Sequence, residues 1–311
     1  MNFFTAKQIA EKWHISPQQV RRYCKERRIK GAFLYEGQWL IPEKTKAPEG
    51  LYDEEFHQGP LLKKVLYQLE RNNHYGIYEY IQVNLAYSSS RMASNRLTRE
   101  QVQEMYRTNR ITPAFEATKV DDIFEVANHF HCTRYALENT SMPLTVEFIQ
   151  HLHYLLVHGT YSDKRNKTAV GVFRSQPAKW GVPPEKINRE LKALLEQYEG
   201  RGGNSGRKRE TQTPTLEQIL DFHVKLEQIR PFDDYNGRVG RIIMMKECLR
   251  HEIDPFIIDD KRRGEYNRGI SAWGTDREIM KKAVSDAQRR FQRYLEVCQL
   301  MQFHRPPIDC G

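Results

Sequence analysis

Arg230-Pro231-Phe232-Asp233-Asp234-Tyr235-Asn236-Gly237-Arg238-Val239-Gly240-Arg241 is a turn that leads into a helix. The Asn236-Gly237 pair is a turn signal, and an amphipathic stretch with helical spacing follows it. A turn before a helix N-terminus presents unpaired N–H groups and the positive end of the helix dipole, which suits an anion. The pattern therefore predicts an anion site at the start of this helix.

The charged side chains of the same stretch suit a phosphate. Arg238 and Arg241 are three residues apart, so they lie on neighbouring parts of one helix face. Their planar guanidinium groups match phosphate oxygens, and Asp234 supplies a hard oxygen ligand of the kind that Mg²⁺ takes. On spacing alone, an N-capped surface helix with two solvated arginines stays open as the alternative. The ordered set of residues favours a phosphate site.

The stretch also resembles the signature of the Fic family, His-Pro-Phe-x-(Asp/Glu)-Gly-Asn-Gly-Arg-x-x-Arg. Fic proteins mostly transfer AMP from ATP to protein hydroxyl groups. Arg230 stands where the family has its catalytic His, and Tyr235 stands where the family has its first Gly. The resemblance covers most of residues 75–300. It implies a mainly α protein, with an all-helical Fic domain that carries a short β-hairpin flap.

The resemblance implies a role for each matching position. Phe232 anchors the loop in the core, and Asp234 holds Mg²⁺ against the α- and β-phosphates of ATP. The outer phosphates bind to the two arginines. The implied nucleotide-binding residues are Asp234, Asn236, Gly237, Arg238, Gly240 and Arg241. The implied cofactor is Mg²⁺ with ATP or another nucleotide.

Both departures from the signature argue against ordinary AMP transfer. Arginine has a pKa above about 12 and stays protonated, so Arg230 cannot act as a general base. Tyr235 adds bulk and a Cβ where glycine leaves the backbone open to the phosphates. His223, on the preceding helix, is a candidate replacement base, and a structural role is its alternative. The sequence predicts nucleotide binding with absent or much reduced AMP transfer, and it leaves open whether the chain is an enzyme.

An active transferase is the second hypothesis. In it the chain moves AMP or a related phosphate-containing group to a protein hydroxyl by altered chemistry. The target nucleophile is then ionised already or is activated by another group. Arg230 would stabilise charge in the transition state as a cationic clamp.

A second element, Ser88-Ser89-Ser90-Arg91-Met92-Ala93-Ser94-Asn95-Arg96-Leu97-Thr98, resembles the inhibitory helix of Fic proteins, (Ser/Thr)-x-x-x-Glu-(Gly/Asn). Ser89 matches the pattern, whereas Ala93 replaces the Glu and Ser94 replaces the Gly. In the family that Glu pairs with the second signature arginine, here Arg241, and an alanine cannot make such a contact. The alternative is a polar turn before a helix from about Arg99 to Arg107.

Lys167 to Val182 looks like the family's flap and contains Gly171, Val172, Phe173 and Arg174. In the family, this hairpin aligns a segment of the target by strand addition, through backbone hydrogen bonds. The resemblance therefore implies a protein target that binds at the flap.

The first fifty residues carry much of the net charge. Ten Lys and Arg stand against five Glu there, a net charge of +5 out of +9 for the 311-residue chain. The sequence predicts a helix over Ala6 to Trp13, a turn, a basic helix over Gln18 to Arg27, and a hairpin from Gly31 to Pro42. This order resembles a winged helix-turn-helix of the excisionase and MerR type. The expected DNA-binding side chains are Arg21, Arg22, Lys25 and Arg28; a helical docking module is the alternative.

The domain layout follows from these motifs. We expect the winged helix-turn-helix at 1–47, a linker at 48–59, and the Fic domain with its inhibitory-type helix at 60–311, with a core at about 145–260. The predicted helices after the linker are Leu61 to Asn72, Tyr75 to Ala86, Asp121 to Glu138, Thr145 to His158, Pro184 to Glu199, Leu216 to Ile229, Arg238 to His251, Arg262 to Trp273 and Asp276 to Met301.

Composition bounds the remaining possibilities. The five cysteines are widely spaced and read as free thiols in a reducing cytoplasm. No apolar stretch reaches the length of a transmembrane helix, and the histidine spacings predict no zinc site. We expect a cytoplasmic regulator with nucleotide, DNA and possible protein partners and a possible homodimer.

Overall fold

The structure is a computed structural model that describes residues 3–13, 17–25, 27–35, 37–46, 61–71, 76–111, 118–161, 163, 170–200 and 213–303. Of residues 18, 19, 22 and 299–303 it describes only the backbone. The chain divides into two compact units, residues 1–80 and residues 81–311. The predicted linker at 48–59 lies outside the described residues, so it stays a prediction.

The first 46 residues of the first unit form two helices and a small antiparallel sheet in their described part. The helices are α1 (Ala6–Trp13) and α2 (Pro17–Lys25). The strands are β1 (Phe3–Thr5), β2 (Phe33–Tyr35) and β3 (Gln38–Pro42), in the order β1-β3-β2. Both helices and the β2–β3 hairpin match the sequence prediction, whereas β1 was not predicted.

The helices of this unit bury the faces that their periodicity indicates. Ile9 and Trp13 of α1 and Val20 of α2 are buried, and Ile41 of β3 joins the same cluster. Thr5 is the N-cap of α1. Its Oγ1 accepts from the Gln8 N–H at 3.3 Å, and the Gln8 side chain accepts from the Thr5 N–H. Such a reciprocal cap satisfies two N–H groups that the helix leaves unpaired.

The rest of the described chain is mainly helical. The helices are α3 (Leu61–Glu70), α4 (Ile77–Met92), α5 (Arg99–Thr108), α6 (Val120–Glu138), α7 (Val146–Val157), α8 (Ile187–Tyr198), α9 (Leu216–Ile229), α10 (Asn236–Arg250), α11 (Arg263–Ala272) and α12 (Glu278–Phe303). Short 3₁₀ turns precede α8 and α11. The prediction of a mainly α chain is confirmed.

The second unit has two hydrophobic clusters that fix the helices around the site. One joins α9, α10, α11 and α12 and includes Val224, Met244, Tyr266 and Val284. The other joins α4, α5 and α6. Helix α10 is buried along almost its whole length, from Asn236 to Leu249. It is therefore the central helix of this unit, and its N-terminus is held firmly in place.

The predicted flap hairpin is not found in the described part of its segment. Residues 170–182 form turns and extended chain without a strand. Val172 is exposed, but Arg174 is 2% exposed. This stretch packs against the end of α9, where the N–H groups of Arg174 and Val182 donate to carbonyls of residues 229–231 instead of to a second strand.

Candidate nucleotide-binding site

The signature stretch forms a tight loop between α9 and α10. At its two ends stand non-glycine residues in the left-handed region: Arg230 (φ 51°) follows α9 and Tyr235 (φ 64°) precedes α10. Such backbone conformations are costly outside glycine and asparagine, so surrounding contacts must hold them. The family's glycine at the second of these positions has no such cost.

Asn236 closes the loop from within. Its Oδ1 accepts from the Phe232 N–H at 3.0 Å, and its Nδ2 donates to the Phe232 carbonyl at 2.8 Å. Phe232 is fully buried, as predicted, and its ring stacks on His153 with centroids 3.8 Å apart. The Asn236 side chain therefore fixes the shape of the loop, and its nucleotide-binding role stays a prediction.

His153 is a structural support beneath the loop that the sequence does not single out. Its Nδ1 accepts from the Gly171 N–H at 3.1 Å. Burial lowers the pKa of His153 to about 4, so the ring is neutral near pH 7. A neutral ring stacks on Phe232 without the cost of burying a charge.

The Tyr235 side chain points into the protein. It is 3% exposed, and its hydroxyl donates to Oε1 of Glu125 on α6 at 2.8 Å. Burial raises the pKa of the phenol, which keeps the donor protonated. The expectation that the Tyr235 side chain crowds the loop is therefore wrong. The ring lies in the protein interior and does not project into the mouth of the loop.

Arg238 lies over the Tyr235 ring. Its Cζ is 3.2 Å from the ring centroid, and the side chain is 4% exposed. Its Nη1 lies 3.0 Å from Glu125 Oε1, while its Nη2 lies 3.6 Å from Asp234 Oδ2. Nη1 has no hydrogen-bond partner of correct geometry. The contact with Glu125 is therefore an ion pair in which the N–H bonds do not point at the carboxylate oxygen.

Arg241 is joined to the inhibitory-type helix. Its Nε donates to Ser89 Oγ at 2.7 Å, and its Nη2 lies 3.4 Å from the Ser89 carbonyl oxygen. Ser89 lies in the last turns of α4 and is 1% exposed. The alternative of a polar turn is therefore wrong for this part of the segment, because Ser88 to Ser90 are helical and buried.

The end of α4 follows the inhibitory pattern without its carboxylate. Ala93 is exposed, and Ser94 has φ 74°, a conformation that suits the family's Gly or Asn at that position. An alanine here offers no acceptor to an arginine. Among the described contacts, Ser89 supplies the hydrogen bonds to Arg241 from this helix.

Gly237 and Gly240 both lie where a Cβ would meet a neighbouring side chain. A Cβ on Gly240 would lie 2.4 Å from His223 Nδ1, so α10 and α9 approach each other closely only because this residue is glycine. A Cβ on Gly237 would lie 2.9 Å from both Arg241 Nη1 and Glu227 Oε1. The structure shows Gly240 in contact with the neighbouring helix, and its nucleotide-binding role stays a prediction.

His223 is placed as a structural histidine. It is fully buried, and its Nε2 shares a hydrogen bond with the Tyr266 hydroxyl. Burial, and then the Arg241 charge, lower the pKa of His223 to about 3. The candidate base is therefore neutral but closed off from any substrate. His129 on α6 behaves similarly: burial and the charges of Arg241 and Arg238 lower its pKa to about 3.

Arg230 faces the outside of the loop. Its guanidinium lies over the ring of Trp180, 4.6 Å from the centroid, and its Nη2 donates to the Asp233 carbonyl at 3.3 Å. Trp180 is 58% exposed. The position of the family's proton acceptor therefore holds a permanent cation beside an exposed indole.

The flap-like stretch clamps this end of the loop. Arg174 donates from Nε to the Arg230 carbonyl at 2.8 Å and from Nη1 to the Gln176 carbonyl at 2.9 Å; its Nη2 donates to the Val182 carbonyl. The Arg174 N–H donates to the Pro231 carbonyl at 3.0 Å. Gly171 has φ 81°, and Phe173 lies against Phe232. Arg174 therefore holds the backbone around Arg230, and a protein target at this stretch stays a prediction.

Asp234 is an accessible carboxylate of the site. Its side chain is 74% exposed, and Oδ1 accepts from the Tyr235 N–H at 2.7 Å. A carboxylate beside a helix N-terminus fits an Mg²⁺ ion that keeps several waters and bridges phosphates. The N–H groups at the start of α10 fit an anion, but both arginines hold other partners and would have to exchange them. Within the described ranges no cluster of three or more His, Cys, Asp and Glu side chains could hold a metal.

The first unit displays part of the basic set predicted for DNA. Arg21 and Lys25 on α2 and Arg28 after it are exposed, and Arg28 lies 4.6 Å from the Tyr23 ring centroid. The Arg22 side chain lies outside the described residues. None of the described helices is long and apolar enough to cross a membrane.

Comparisons with known proteins agree with this geometry. The Fic/DOC family model matches residues 143–248. A Fic domain containing signaling protein from Bacteroides thetaiotaomicron is similar over 81% of this chain and 97% of its own, with 16% identity and a TM-score of 0.59. A fragment of Fic-1 from C. elegans is similar over 79% of this chain and 73% of its own, with 17% identity and a TM-score of 0.56. No curated protein matches the chain. At these identities the structural likeness shows the fold, and the match to the Fic/DOC family model is confined to residues 143–248.

Proposed function

We propose that the Fic domain of this chain binds a nucleotide with Mg²⁺ and has absent or much reduced AMP-transfer activity. The observation that carries the proposal is Arg230. In AMP transfer a hydroxyl attacks the α-phosphorus, pyrophosphate leaves, and a base takes the hydroxyl proton. A guanidinium cannot take that proton, and the nearby neutral histidines are buried.

The retained features favour nucleotide binding. Asp234 is exposed beside the start of α10, where backbone N–H groups and the helix dipole favour phosphate. Arg238 and Arg241 lie on the first two turns of the same helix. When bound, Mg²⁺ would neutralise phosphate charge at Asp234. The chain's own residues would orient the phosphates and exclude water from the buried side of the loop.

Calorimetry and thermal melting with ATP and Mg²⁺ test this binding. A ligand at a hundredfold excess over its Kd should stabilise the protein by about 2.7 kcal/mol. Asp234→Ala should weaken the shift with Mg²⁺ present, and Asp233→Ala, a change at the exposed neighbouring carboxylate, is the matched control. No heat and no melting shift at millimolar ATP would mean that the loop is purely structural.

We propose further that residues 1–47 form a DNA-binding head, so that the chain acts as a regulator. Its two helices, its hairpin and the exposed Arg21, Lys25 and Arg28 support this assignment. Phosphate contacts would position the head, and side chains of α2 would read base edges. A protein-docking role for the same basic helix is the competing assignment.

The second candidate function is an active transferase. Arg230 favours it in one respect: a cation stacked on Trp180 at the mouth of the loop is placed to stabilise developing phosphate charge. This candidate requires a nucleophile that is already ionised or is activated by another group. Covalent transfer of the label from ATP separates it from reversible binding.

A further inference from the structure

Glu125 is the charged group that joins the parts of the site. Its Oε1 accepts from the Tyr235 hydroxyl at 2.8 Å and lies 3.0 Å from Arg238 Nη1. Its Oε2 accepts from Asn95 Nδ2 at 3.2 Å. Asn95 lies three residues after the end of α4 and is 2% exposed. One carboxylate on α6 thus connects the signature stretch to the segment that follows α4.

The first signature arginine already has an anionic partner inside the protein. The Arg238 side chain is 4% exposed, and that of Glu125 is 14% exposed. The Tyr235 ring covers one face of the guanidinium. Any external anion that binds Arg238 must share it with the Glu125 carboxylate or displace that carboxylate.

The geometry of the pair favours exchange. Nη1 makes no aligned hydrogen bond, although it lies 3.0 Å from Oε1. Two of the Glu125 oxygen contacts, from Tyr235 and Asn95, are hydrogen bonds that hold the carboxylate independently of the arginine. Phosphate oxygens would give the guanidinium the aligned, bidentate bonds that it lacks.

From these contacts we infer that Glu125 is an internal competitor for phosphate at Arg238, held in place by Tyr235. This inference rests on the proposed nucleotide binding and assigns its regulation to a carboxylate outside the signature. Removing the negative charge leaves Arg238 buried without its counter-charge, a state that an incoming anion relieves. Glu125 therefore lowers the affinity of the site for phosphate.

Titration calorimetry on the full-length protein tests the inference, with Mg²⁺–ATP and, separately, inorganic tripolyphosphate as probes. Glu125→Gln should tighten the binding of both by about tenfold, since loss of one buried charge-assisted contact is worth at least a factor of this order. The matched control is Glu138→Gln, because Glu138 lies on the same helix but pairs with Arg134 at the surface. It should leave both affinities unchanged.

Tyr235→Phe is the second variant, and it keeps the inference testable if Glu125→Gln does not fold. It removes only the hydroxyl that holds Glu125, so it should tighten binding by a smaller factor. Equal affinities of the wild-type protein and both variants would overturn the competitor role and leave nucleotide binding intact. Weaker binding by Glu125→Gln would also overturn it, because Glu125 would then support the site. No binding by any of the proteins at millimolar probe would overturn both proposals.

Discussion

Arg241 Nε donates a hydrogen bond of 2.7 Å to Ser89 Oγ, between residues 152 positions apart in the chain. The bond joins the central helix α10 to the last turns of α4, and both side chains are buried. A neutral hydroxyl thus contacts the arginine whose carboxylate partner, in the family, stands at the position of Ala93. The end of α4 thus contacts the signature stretch through Ser89, although Ala93 supplies no carboxylate.

Ser89→Ala should destabilise the fold by about 1–3 kcal/mol, because it leaves the buried Arg241 Nε without its acceptor. Chemical denaturation measures the change. Ser285→Ala is the matched control, since Ser285 Oγ accepts from Arg289 in an exposed bond on α12. The two substitutions would have equal effects if the bond to Arg241 contributed nothing.

Gly240→Ala should cost about 1–3 kcal/mol of stability, the usual cost of overpacking a core. Its Cβ would lie 2.4 Å from His223 Nδ1, so α9 and α10 would have to separate. Gly264→Ala is the control, because nothing lies within 4 Å of the added methyl group on α11. That change should be neutral or should stabilise by up to about 1 kcal/mol through helix propensity. A silent Gly240→Ala would contradict the close helix packing.

The free energy of unfolding should decrease as the pH is lowered below about 6.5, because His223 is buried as the neutral ring. Its folded pKa of about 3 lies below the unfolded value of about 6.5, so the unfolded chain binds the proton first. The contribution is complete above about pH 6.5 and is lost as the pH falls towards 3, by at most about 1.4 kcal/mol per pH unit. Denaturation measured from pH 7 to pH 4 gives the slope.

His223→Gln removes the titrating group, so it should flatten that slope by up to one proton, whatever it does to the stability at pH 7. His131→Gln, at an exposed position of α6, is the control. An unchanged slope in His223→Gln would show that other groups carry the acid sensitivity.

Binding of DNA by the first unit should weaken steeply with salt, since log K falls by about 0.9 per log unit of salt for each phosphate neutralised. Arg21→Ala should cost about 1–3 kcal/mol and relax the preference at one base position if the side chain reads a base. Lys7→Ala, at an exposed position of α1, tests whether the effect is specific to α2. A selection from random duplexes that enriches no sequence, together with a protein partner for this unit, would favour docking.

The sequence predicted the helices well because the second unit follows ordinary rules of capping and periodicity. Leu216–Ile229 matches the prediction at both ends, since Thr215 and Gln218 form a capping box before it. Helix α4 was missed beyond Ala86, and it continues to Met92. Three consecutive serines suggest a turn, whereas in the structure all three are helical and buried, and Ser89 bonds to Arg241.

The sequence indicates the residues of the candidate site, but it does not indicate all of their contacts. Local sequence identifies Asp234, Arg238 and Arg241, because their spacing on one helix start is visible. It gives no sign that Glu125, more than a hundred positions earlier in the chain, meets Tyr235 and Arg238. Contacts between distant helices depend on how α6 packs on α10, and a short motif carries no information on that packing.

Incubation of the purified protein with ATP labelled at the α-phosphate tests the central claim most directly. The label should bind reversibly, in equilibrium dialysis with Mg²⁺, and none should remain on this protein or on added proteins after denaturation. The reason is that Arg230 cannot accept the proton of the attacking hydroxyl. Covalent label in the unaltered protein or its targets, lost on Asp234→Ala, would contradict the account and establish an active transferase.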